Sequence, residues 1–71
     1  MNEDKILEYY FLALNDIRNG SSIQELEEAL KIYEKSEEYE ACAGILKAIN
    51  EVKYTTIKHL KNGHKNDFKG S

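Results

Sequence analysis

Cys42 is the chain's one thiol, and His59 and His64 are its two imidazoles. A cysteine nucleophile needs a base nearby and surroundings that lower its pKa. Cys42 instead falls at an apolar-periodic position beside Ala43, where a small packed side chain is expected. The histidines are five residues apart, whereas a spacing of four would set two ligands on one helix face. No third ligand accompanies them, so no zinc site is expected. Carboxylates are plentiful but occur in no Glu-x-x-His pattern of the kind that bridges paired metals. There is no glycine-rich phosphate loop, and the formal glycosylation sequon Asn19-Gly20-Ser21 has no secretory signal ahead of it. The expectation is a non-enzyme, with no metal, no cofactor and no small-molecule substrate.

Charge offers a different chemistry. Residues 1–51 carry twelve acids against five bases, a net −7, while residues 52–71 carry five lysines against Asp67, a net +4. Lys58, Lys61, Lys65 and Lys69, interleaved with His59, His64 and Phe68, could contact phosphates or stack on a base. With Arg18 as the lone arginine, groove reading of base sequence is not expected, since that commonly uses arginine on guanine. Nucleic-acid binding through this tail would be weak and salt-sensitive; the plainer alternative is a solubilising tail. Between Glu25 and Glu40 seven acids face two lysines. Glu34, Glu37 and Glu38 form the part of that acidic face that could set partner choice.

Three helices must position these groups. Asn2 is a good N-cap for the first, with Glu3 and Asp4 in the turn where the helix dipole favours negative charge. Ile6, Tyr9, Tyr10, Ala13 and Ile17 recur at helical spacing, flanked by Leu7, Phe11 and Leu14, and Asn19-Gly20 comes next as terminator. The adjacent trio Tyr9-Tyr10-Phe11 cannot face one core, because neighbours on a helix lie about 100° apart. At least one of the three is expected at the surface. Ser22-Ile23-Gln24-Glu25 fits a capping box, and Ile23, Leu26, Leu30 and Tyr33 then form a narrow seam. The seam breaks at Ser36-Glu37-Glu38, with Ser36 expected to cap the next helix. The third helix is expected from about Glu38 to Asn62, stopped by Gly63. Its stripe is Tyr39, Cys42, Leu46, Ile49, Lys53, Ile57 and Leu60, with Ala43, Ile45 and Val52 beside it. The resulting organisation is an all-α domain over residues 1–63 and a disordered basic tail over residues 64–71.

Length decides what this domain can do. Seventy-one residues bury only about 60% of the surface their unfolded chain exposes, and such a core rarely contributes more than roughly 3–5 kcal/mol net. At about 1.5 Å per residue the third helix is much longer than the other two. A short turn makes helix two run back along its first half. Residues beyond about Lys53 then overhang unless helix one is displaced to cover them.

The second and third helices resemble the UVR motif, the helical hairpin of the bacterial excision-repair proteins UvrB and UvrC. The resemblance runs from Ile23-Gln24-Glu25-Leu26-Glu27-Glu28-Ala29-Leu30 through Ser36-Glu37-Glu38-Tyr39-Glu40-Ala41-Cys42-Ala43 to Ile45, Ile49 and Val52, without a gap. Tyr39-Glu40 stands where the motif has Phe-Glu, and Cys42-Ala43 where it has a small Ala-Ala pair. Leu46-Lys47 replaces its Arg-Asp pair. The resemblance implies a hairpin that pairs with another hairpin, in protein–protein association rather than chemistry. It covers under half of the chain and implies no excision activity.

Taken together, these features predict a small acidic protein–protein interaction module, cytoplasmic and without a membrane span, that self-associates as a homodimer. Tyr10, Ile49, Ile57 and Leu60 are the expected contact residues. The alternative is a small inhibitor of the virus-encoded, anti-defence kind, as anti-CRISPR proteins are, that blocks a nucleic-acid-processing complex through its acidic face.

Overall fold

A computed structural model describes the backbone of residues 1–70 and the side chains of residues 1–55. Three helices succeed one another: α1 (Glu3–Arg18), α2 (Ile23–Lys35) and α3 (Tyr39–Gly70). The fold is all-α.

The helix ends obey the local chemistry. The Asn2 side chain accepts from the Asp4 and Lys5 amides, closing the start of α1. Gly20, at φ 106°, ends it: the Gly20 and Ser21 amides donate to the Ile17 and Asp16 carbonyls, the paired bonds of a left-handed cap. Ser22 Oγ accepts from the Glu25 amide at 3.1 Å, the hydroxyl half of the capping box. Ser36 does not cap α3; it ends α2. The Glu37 and Glu38 amides donate to the Glu34 and Tyr33 carbonyls, so a second left-handed cap consumes residues 36–38 and α3 starts at Tyr39. Gly63 does not stop α3, whose backbone stays helical to Gly70. An interior glycine costs a helix only about 1 kcal/mol, no proline comes after it, and the lysines beyond it suit a helix C-terminus. The expected disorder of residues 64–71 concerns residues whose side chains lie outside those described.

α1 and α3 run parallel and in register from their first turns. The Asn2 amide donates to the Glu40 carboxylate at 3.0 Å, Tyr9 and Tyr10 lie against Gly44, and the Tyr10 hydroxyl donates to Glu51. α2 runs antiparallel to both. Its first turns meet the far end of this region, where Glu27 and Lys53 pair at 3.7 Å, and its later turns bring the Leu30 carbonyl to Cys42 Sγ at 4.0 Å. α1 therefore ends, and the antiparallel α2 begins, near the level of Lys53. The seventeen residues from Tyr54 to Gly70 carry the α3 backbone on by roughly 25 Å. The molecule measures 51 × 22 × 19 Å, its long axis set by that helix.

The core is thin. Ala13, Leu26, Ala41, Ile45, Ala48 and Ile49 are buried, with Tyr10, Leu14, Ile17, Ile23, Ala29, Leu30 and Tyr33 packed partly against them. On α3 the face toward α1 is made of small residues, Ala41, Gly44 and Ala48, spaced three and four apart. A Cβ at Gly44 would lie 2.5 Å from the Ile6 carbonyl oxygen and 2.8 Å from the Tyr10 amide nitrogen. The two backbones are in direct contact there.

Candidate interaction surface

α1 and α2 each pack on α3 but diverge from one another, and a groove of about 210 Å³ opens between them. Its floor is Ala13, Leu26 and Ile45. Leu12 and Asp16 form the α1 wall and Ala29 the α2 wall, while Tyr9 and Tyr33 meet edge-to-face at 5.9 Å toward one end. Apart from the Asp16 carboxylate and the two tyrosine hydroxyls, the lining side chains are apolar. Leu12 is 55% exposed, and Ile32, next to Tyr33 on α2, is 64% exposed. Leaving such side chains in water is unfavourable by about 25 cal/mol per Å² of apolar surface, so a covering partner would be stabilising.

Of the four expected contact residues, Tyr10 and Ile49 are the two whose side chains are described, and neither presents an open face. Ile49 is 2% exposed and belongs to the core, wedged between α3 and its neighbours, so it cannot meet a second molecule while the protomer is folded. Tyr10 is half-buried and engaged within the protomer: its hydroxyl donates to Glu51, and the Lys47 ammonium sits 5.2 Å from its ring centroid. The bond to Glu51, then desolvation and the carboxylate's charge, raise the Tyr10 pKa above its ordinary value of 10. That contact is intact at neutral pH and is lost only as pH climbs past the ordinary value toward the raised one. Ile57 and Leu60 lie outside the residues whose side chains are described, as do His59, His64, Lys58, Lys61, Lys65 and Lys69. The exposed member of the aromatic trio is Phe11, at 61%, whose ring centroid lies 5.2 Å from that of Tyr10.

Glu34, Glu37 and Glu38 are all exposed around the α2–α3 turn. Their field reaches Cys42, half-buried one turn into α3. Desolvation first, then the charges of Glu34 and Glu38, raise its thiol pKa. A raised pKa leaves little thiolate at neutral pH, the opposite of what a nucleophile needs. Among the described residues, no group of three or more His, Cys, Asp or Glu side chains is placed to hold a metal ion. Nor is any helix there long and apolar enough to cross a membrane.

The groove residue Leu12 and the exposed Ile32 escape a reading of the helical stripes because each lies at a stripe's edge. The signal was available: Leu12 extends the apolar arc of α1 toward the side of Tyr9, giving that helix more apolar surface than contact with α3 can use. No protein-family model, curated protein or solved structure matches the chain.

Proposed function

We propose that this chain is a non-enzymatic interaction module that works by helix-mediated association, first of all with a second copy of itself. The observation that carries this is a mismatch of lengths. Among the described residues a thin core joins three helices up to the level of Lys53, and the α3 backbone continues for a further seventeen residues that include Ile57 and Leu60. Small domains of marginal core commonly gain stability through assembly, and symmetric pairs are the commonest form. The UVR-like pattern of α2 and α3 supports the same conclusion, since those hairpins pair with hairpins.

Sedimentation at micromolar concentration is expected to give a dimer. Leu60→Asp is expected to convert it to a folded monomer, with helix content by circular dichroism retained up to Lys53. A wild-type chain that sediments as a monomer at that concentration discards self-association.

One observation favours a second reading, the inhibitor that engages a nucleic-acid-processing complex through its acidic face. Glu37 adopts φ 57° at a helix end where glycine is the usual residue. A side chain held in the left-handed region costs about 1–2 kcal/mol. The carboxylate thus sits at a position where its backbone conformation is unfavourable, as happens at functional sites. Glu37→Gly is expected to stabilise the chain by about 1 kcal/mol while weakening capture of the partner complex. Charge reversal of Glu34, Glu37 and Glu38 should abolish that capture, and binding that survives reversal excludes phosphate mimicry.

A further inference from the structure

The groove between α1 and α2 is apolar with an acid in its wall, room for about two turns of a basic helix, and the chain itself supplies such a helix. We infer that it receives the C-terminal part of α3, residues 54–70, from a second copy of the chain, whose own groove is filled in return. This deepens the self-association proposed above and rests on it.

Four observations point to this occupant. The α3 backbone is continuous and leads away from the groove past Lys53, so a protomer's own C-terminal part is not delivered to its own groove. The reach suffices: the groove is lined by residues 9–16 of α1 and 26–33 of α2, roughly 10 Å of helix, and residues 54–70 span roughly 25 Å. The charges are opposite. α1 and α2 carry eight acids against four bases, with Asp16 in the groove wall, whereas residues 54–70 carry Lys58, Lys61, Lys65 and Lys69 against Asp67. Finally, the sequence places Ile57, Leu60 and Phe68 at spacings of three and eight, which is one face of any helix, and the groove wall offers the 55% exposed Leu12 as an apolar counterpart.

Two chains related by a two-fold axis near residue 54, their α3 helices antiparallel, satisfy both grooves at once. Each body of three helices then becomes a four-helix bundle whose fourth member comes from the other chain. The contact closes on itself, so assembly stops at two. Opposite charges on body and extension favour this pairing and disfavour stacking of body on body.

The test uses the full chain with p-benzoylphenylalanine introduced at Leu12, in the groove wall. That site is 55% exposed, enough to accept it, and circular dichroism checks that the variant folds. Irradiation of the sedimenting dimer is expected to yield a covalent dimer whose cross-linked peptide lies within residues 54–70. Prior substitution of Lys58 and Lys61 by glutamate should reduce that yield several-fold. A protein that sediments as a dimer but cross-links elsewhere, or not at all, overturns the groove assignment and leaves self-association standing. A monomer at every concentration overturns both.

Discussion

Gly44→Ala should destabilise the protein, although helix propensity alone says the opposite. In a helix interior alanine is favoured over glycine by about 0.5–1 kcal/mol, so a solvent-facing exchange would strengthen α3. At position 44 the added methyl would sit 2.5 Å from the Ile6 carbonyl oxygen, 2.7 Å from Tyr9 Cβ and 2.8 Å from the Tyr10 amide nitrogen. None of these is the end of a flexible side chain, so no rotamer change relieves the overlap. α1 as a whole must move away from α3, loosening Ala13 and Ala48 and pulling Tyr10 from Glu51. Overpacking of this kind costs typically about 1–3 kcal/mol, and the rigidity of the contact puts it at the upper end. After the propensity gain, a net loss of about 2 kcal/mol is expected, close to half of what so small a core supplies. The melting temperature monitored by far-UV circular dichroism should fall by roughly 10 °C. Gly20→Ala is the control. It meets nothing within 4 Å, so its cost of about 1–2 kcal/mol comes from the φ of 106° alone. If Gly44→Ala raised the melting temperature, α1 would not lie against α3 as described.

That close approach of α1 and α3 is the feature least legible in the chain. Caps can be read residue by residue, because Asn2, Gly20 and Ser22 act on backbone groups one to three positions away. The helix count and the thinness of the core are legible for the same reason. The rotation of α3 is not. Periodicity selects its large residues as the inner stripe, yet Leu46 is 47% exposed and Tyr39 58%, while Ala41, Gly44 and Ala48 are buried. A helix pressed between two neighbours needs two inner faces, and here they differ in kind. The face toward α2 uses Ile45 and Ile49, which periodicity finds. The face toward α1 uses small residues, whose value is close approach rather than buried area, and hydrophobicity undervalues them. Gly44 between Ala41 and Ala48 is the signal: an interior glycine in a helical pattern marks a place where another backbone arrives. Of the expected contacts whose side chains are described, Ile49 stays on an inner face and Tyr10 is occupied by Glu51 and Lys47, while Phe11, Leu12 and Ile32 face solvent.

Ile49→Ala separates a core role from an interface role, and its effect should be the largest of any single truncation. Ile49 is 2% exposed and clusters with Ala13, Leu26, Ile45 and Ala48 where all three helices meet. Truncating a buried isoleucine costs about 2–5 kcal/mol, from lost burial and the cavity left behind. Against a total of roughly 3–5 kcal/mol, that leaves the chain mostly unfolded at room temperature. The loss should track the protomer, not the assembly. Helix content should be low at nanomolar and at high micromolar protein alike, because raising the concentration repairs a weakened interface by mass action but only slowly offsets a broken core. An interface residue would behave as Leu60 is expected to, its truncation leaving folded monomers. Leu46→Ala supplies the comparison within the same helix. It removes a side chain of similar size three positions away, yet at 47% exposure it should cost under about 1 kcal/mol. Urea titrations of the two variants should therefore differ by several-fold in midpoint shift. Equal shifts would mean that α3 presents a different face to α1 and α2, and the groove between them would then have a different floor.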